Sequence, residues 1–204
     1  MKLTAKGQAT RTRILDAAAE YLRGEAPGGV TLDEVLAASR TSKGQLFHYF
    51  PGGKEELLLA VARLEAERVL DDQRPYLDAL DSWDSWAKWR GALIRRYRAQ
   101  GTQCPLASLM SQVGNVDGAA EVATALLQNW QAHVRRGIQR MQDSGQVSLG
   151  MDADRMAAAF IAGIQGGVTV LRTTGSTSHL EAMLDVLLAH LRGAPTEPTV
   201  PFAA

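Results

Sequence analysis

Ser42, Lys43, Gln45, His48 and Tyr49 fall along one short segment, "TSKGQLFHYF", fastened by Leu46 and Phe50. These side chains suit recognition of nucleic-acid edges: Gln pairs with adenine, Lys with guanine or phosphate, and an apolar ring such as Phe47 with a thymine methyl, while Gly44 lets the backbone come close. Catalysis is a poorer fit. Nothing pairs Ser or Cys with His and a carboxylate at motif spacing, so no enzyme is expected. His48, His133, His179 and His190 lie far apart without Cys or carboxylate at ligand spacing, and Cys104 is the only cysteine. That pattern predicts no metal, no cofactor and no internal disulfide.

The elements that must hold this segment read as short helices. "RTRILDAAAEYLR" puts Ile14, Leu15, Ala18 and Leu22 on one stripe, and "GEAPGGV" ends it. Thr31 is a good N-cap for "LDEVLAA", with Asp33 and Glu34 in its first turn, where the helix dipole favours negative charge. Ser42 caps a third helix through about Tyr49, and "FPGG" stops it; a long fourth helix runs from near Lys54 toward Pro75. Leu46 and Phe50 then face Val35, Leu36 and the first helix, which turns Lys43, Gly44, Gln45, Phe47, His48 and Tyr49 to or near the outer face. A short polar connection followed by such a helix is helix-turn-helix geometry. Two alternatives stay open at this level: Tyr49 as a core aromatic with its hydroxyl in water, and His48 as a solvated surface side chain.

At these residues "TLDEVLAASRTSKGQLFHYFPGGKEELLLAV" resembles the DNA-binding signature of TetR-family transcriptional regulators, over roughly residues 8 to 62. The resemblance implies that Thr31, Ser42, Tyr49 and Lys54 contact phosphates and that Lys43, Gly44, Gln45, Phe47 and His48 face bases. This chain departs from the pattern twice. Arg40 and Thr41 stand where the family usually has Gly and Val; an Arg with positive φ is strained, so either the turn differs or Arg40 reaches a phosphate. "FPGGK" also carries one residue more before Lys54 than is common.

Charge follows the same division. Residues 1–54 hold eight Lys/Arg against five Asp/Glu, and the remainder fourteen against seventeen, so +3 is balanced by −3. A basic first part on an acidic body is the sign expected if only the first part meets phosphate. The N-terminus lacks a signal-peptide core, and no run of about 18 apolar residues suggests a bilayer span, so the chain is expected to be cytoplasmic and free of membrane.

Beyond the head, "WDSWAKWRGALIRRYRAQG", "CPLASLMSQVG", "DGAAEVATALLQNWQAHVRRGIQRMQDSG", "ADRMAAAFIAGIQGGVTVLRTTG" and "HLEAMLDVLLAHLR" all read as helices. The expected fold is all-α with about nine helices: a DNA-binding domain over 1–62, an effector-binding and dimerisation domain over 63–194, and a disordered tail over 195–204. "CPLASL" and "GIQGGVTVLR" resemble the LmrA/YxaF-like subgroup, which implies a repressor on a palindromic operator, released by a small effector. Trp89, Leu93, Tyr97, Leu106, Met110, Trp130, Val134, Phe160 and Gln165 are candidates for lining an apolar effector pocket, with plain core as the alternative. Val168, Leu171, Leu180, Leu184, Leu187 and Leu191 are candidates for a homodimer interface, with burial inside one chain as the alternative. A helical adaptor that never meets DNA would account for the body but leaves the polar third helix without a purpose.

Overall fold

The computed structural model describes residues 3–23, 31–102 and 117–193. Among these residues the chain is all helix: α1 (Ala5–Arg23), α2 (Leu32–Ser39), α3 (Lys43–Tyr49), α4 (Gly53–Asp71), α5 (Arg74–Leu77), α6 (Trp83–Gln100), α7 (Ala119–Asp143), α8 (Ala153–Thr174) and α9 (Ser178–Leu191). The short α5 was not anticipated: Pro75 sits in its first turn, where a missing N–H costs nothing, rather than terminating the element before it. The helix expected over 104–114, Cys104 and the tail lie outside the described residues. The described residues divide into two compact units, one drawn from 3–23, 31–71 and 117–126, the other from 72–102 and 127–193.

In the first unit α1 packs on α2 and α4 and touches α3. Ile14, Ala18, Val35, Leu46, Phe50, Leu57 and Val61 are buried there. Each large side chain among them contributes about 1.5 to 3 kcal/mol by leaving water. The Arg11 guanidinium lies 5.2 Å from the centroid of the Phe50 ring. Arg68 of α4 reaches Asp16 of α1 at 2.5 Å and Glu65 at 2.8 Å, so a charged link joins the two long helices around the head.

The second unit is built on aromatics. Trp86 and Trp89 of α6 meet edge to face at 5.6 Å, and the Phe160 ring of α8 lies 5.5 and 5.9 Å from them. All three are fully buried. Gly137 of α7 permits close approach to this cluster, since a Cβ there would stand 2.6 Å from Leu80 Cβ and 3.3 Å from Trp86 Cζ2. Helix α9 lies along α8 and is tied to α6 by Arg90–Asp185 at 2.6 Å and Arg98–Glu181 at 2.8 Å.

Helix α8 is long and apolar enough to cross a membrane by length and composition, which the sequence reading did not anticipate. It is a core helix: Met156, Phe160, Ile161, Ile164, Val168 and Leu171 are buried inside the protein. Gly167 is what lets α9 lie so close, because a Cβ there would come within 2.9 Å of Leu180 Cα, a backbone atom that cannot turn aside. Gly167→Ala is therefore expected to lower stability by about 1 to 3 kcal/mol through overpacking, despite alanine's better helix propensity. Urea unfolding checks this, and a variant at least as stable as wild type would show that α8 and α9 are not this tightly apposed.

Candidate nucleic-acid interface

The turn between α2 and α3 is defined by its hydrogen bonds. Thr41 N–H donates to Leu36 O at 3.1 Å and Arg40 N–H to Ala37 O at 3.3 Å, the pair of bonds of a Schellman helix end. That geometry requires a left-handed residue, and Arg40 takes it at φ 51° and ψ 46°, as the only described non-glycine residue with positive φ. Arg40 thus takes the left-handed backbone that glycine adopts most readily, with the strain expected for an arginine there. Inside the turn the Ser39 hydroxyl, buried, donates to Val35 O at 2.6 Å and lies 2.7 Å from Thr41 Oγ1.

Reciprocal capping boxes flank this turn. At the start of α2, Thr31 Oγ1 accepts from Glu34 N–H at 3.3 Å while Glu34 Oε2 accepts from Thr31 N–H at 2.9 Å and from its hydroxyl at 2.6 Å. Those bonds from Thr31, side chain first, hold the Glu34 carboxyl below the ordinary glutamate range, and the Lys54 ammonium adds to the effect. At the start of α3, Ser42 Oγ accepts from Gln45 N–H at 3.2 Å and Gln45 Oε1 accepts from Ser42 N–H at 2.9 Å. Each box satisfies two donors that a helix start leaves unpaired.

With Leu46 and Phe50 turned inward, α3 leaves Lys43, Gly44, Gln45, Phe47 and His48 exposed. A Cβ on Gly44 would meet only Ser42 Oγ, at 3.9 Å, so nothing in the chain itself requires glycine there. Tyr49 is half-buried; its ring meets His48 edge to face at 4.9 Å, and a Cβ on Gly7 of α1 would lie 3.3 Å from its hydroxyl. Ser42 and Lys54 are exposed, the latter in the first turn of α4, while Thr31 and Thr41 are engaged in the bonds just described. The structure thus brings the eleven candidates together around α2, α3 and the start of α4. It adds Glu34, Arg11 and Gly7 as supports; of these only Glu34 was legible, through the Thr-x-x-Glu box.

The effector and dimer candidates are placed differently. Trp89, Leu93, Tyr97, Trp130, Val134 and Phe160 are buried and Gln165 half-buried; Leu106 and Met110 lie outside the described residues. An open cleft of about 660 Å³ in the second unit is lined instead by Ser148, Gly150, Met151, Asp152, Arg155, Met156, Ala159, Leu187 and His190. Val168, Leu171, Leu180, Leu184 and Leu191 are each less than 5% exposed within one chain, packed in the core around α8 and α9. Only Leu187 of that set is half-exposed.

Two helices joined by a tight turn, the second anchored by apolar residues and outwardly polar, define a helix-turn-helix DNA-binding protein. Residues 14–61 match the model of bacterial regulatory proteins of the tetR family, and residues 83–187 match the tetracyclin repressor-like C-terminal domain. The chain belongs to the TetR family of transcriptional regulators. It is 27% identical over 168 residues to the transcriptional regulator AcuR of Cereibacter sphaeroides, covering 76% of this chain and 73% of that protein. In fold it is similar to a TetR-family regulator from Cytophaga hutchinsonii, with TM-score 0.78, 18% identity and coverage of 94% and 98% of the two chains. It is likewise similar to a TetR regulatory protein from Rhodobacter sphaeroides, with TM-score 0.72, 21% identity and coverage of 88% and 97%.

Arg40→Gly removes the left-handed strain and is expected to stabilise the chain by about 1 kcal/mol. Chemical denaturation reads this directly. A lower midpoint for the glycine variant would mean that the Arg40 side chain makes a stabilising contact larger than the strain.

Proposed function

We propose that this chain is a repressor that binds a palindromic operator as a homodimer and is released by a small hydrophobic or aromatic effector. Residues 1–62 read DNA and 63–194 bind the effector and dimerise; "CPLASL" and "GIQGGVTVLR" favour the LmrA/YxaF-like subgroup. Such a regulator works where bacterial DNA is, in the cytoplasm. The observation that carries the DNA-reading part is α3, capped and anchored so that Lys43, Gln45, Phe47 and His48 all stand exposed beside the open Gly44.

For the effector, support comes from the aromatic core. Trp86 and Trp130 are fully buried, yet neither indole N–H has a hydrogen-bond partner among the described residues, an arrangement that costs about 1 to 3 kcal/mol per donor. A ligand that brings an acceptor among these rings would recover that cost. For the homodimer, support comes from the outer faces of α8 and α9, where Ala162, Gly166, Thr169, Ala182 and Val186 are exposed small or apolar residues. Two such faces can pack against each other about a two-fold axis, and a two-fold dimer presents two heads to the two halves of a palindrome.

An effector lowers DNA affinity only by as much as its binding favours a state whose two heads no longer fit major grooves about 34 to 36 Å apart. Only Asp72 and Gln73 separate α4 from α5, so no long linker isolates the head from the body. Coupling must be reciprocal: for about 1 to 3 kcal/mol, release is roughly 5- to 150-fold, and operator DNA weakens effector binding by the same factor. Calorimetric titration of an inducer found by screening aromatic compounds, with and without operator, is expected to give two affinities, the weaker with DNA. Equal affinities, or tighter binding with DNA, would reject release.

A further inference from the structure

Gln45 occupies the third position of α3 and is exposed, and in a helix-turn-helix the first residues of the second helix are the ones that reach base edges. Its two amide ends are not equally available. Oε1 is turned back to the start of the helix, where it accepts the Ser42 N–H at 2.9 Å, and Gln45 N–H returns a bond to Ser42 Oγ at 3.2 Å. The amide plane is fixed by that box, so the Nε2 group, which can only donate, is the end left to face outward. Lys43, two residues earlier and also exposed, has only donors as well.

We propose that Gln45 reads its base pair purely as a donor and selects guanine. Guanine shows the major groove two acceptors, N7 and O6, and no donor, so both Nε2 hydrogens find partners. Adenine shows N7 beside the N6 amino group, and a glutamine satisfies that pair only by offering Oε1 and Nε2 together. To do so the Oε1 edge would also have to face the base. Oε1 keeps a second lone pair, but the Ser42 N–H holds it back at the helix start, and turning it outward gives up the side-chain half of the capping box. The capping box therefore sets specificity as well as stability: it makes α3 a donor-only reader at this position. The same glutamine in a helix without the box would be free to take adenine.

The test uses the whole chain and DNA selected from a random pool, for wild type, Gln45→Ala and Gln45→Glu. The position at which Gln45→Ala loses its preference is the one Gln45 reads, and it is expected to be a G·C pair. Replacing that guanine by 7-deazaguanine, which lacks the N7 acceptor, should weaken wild type roughly 3- to 10-fold, the worth of one net hydrogen bond, and leave Gln45→Ala unaffected. Gln45→Glu keeps an oxygen for the Ser42 N–H, so circular dichroism should show its helix content retained. With no donor to offer, it should lose the guanine preference. An A·T pair at the relaxed position, an unchanged motif for Gln45→Ala, indifference of wild type to 7-deazaguanine, or a guanine preference surviving in Gln45→Glu would each overturn the proposal.

Discussion

The left-handed residue at Arg40 is the constraint on which the head depends. Only with positive φ there can Thr41 N–H return to Leu36 O, and only then does the chain reverse quickly enough to start α3 at Lys43. The direction of α3 follows, and with it the set of side chains that face outward. The two capping boxes act on either side of this point, one fixing where α2 begins and the other where α3 begins. Each cap is worth about 1 kcal/mol.

Magnitudes explain how an arginine is tolerated in glycine's place. Left-handed backbone costs an L-residue about 1 to 2 kcal/mol. Burying Leu46 and Phe50, which the turn makes possible, returns about 1.5 to 3 kcal/mol for each. Burial wins, so the turn forms with arginine at position 40. What an arginine adds over glycine is a positive charge on the exposed surface beside α3, of the sign that DNA attracts.

Much of the head was legible in the sequence because its signals are local. Thr31 and Ser42 mark helix starts by type, Leu46 and Phe50 mark an inward face by spacing, and the Arg40–Thr41 departure pointed to the strain at Arg40. The role of Gln45 in the Ser42 box is legible as Ser-x-x-Gln, although the same exposed position also fits a base-reading side chain. The body was less legible. The leucines of α9 show a clear stripe, yet periodicity says only that a face is buried, not whether the partner is α8 of the same chain or a second copy. Leu180, Leu184 and Leu191 proved to be buried within the chain. The aromatics of α6 raise the same question, since a pocket lining and a packed core share one composition. Pro75 is ambiguous for a different reason: a proline can follow the end of one helix or open the next, and here it opens α5.

The central claim is that α3 and its surroundings hold DNA by its phosphates and edges. Equilibrium binding of the chain to its selected duplex, measured across a salt series, tests this most directly. Each phosphate contact releases a counterion, so log K should fall linearly with log salt, with a slope of about −0.9 per contact. A steep negative slope is the predicted result. Affinity that stays flat as salt rises, or no saturable binding at low salt, would contradict the account.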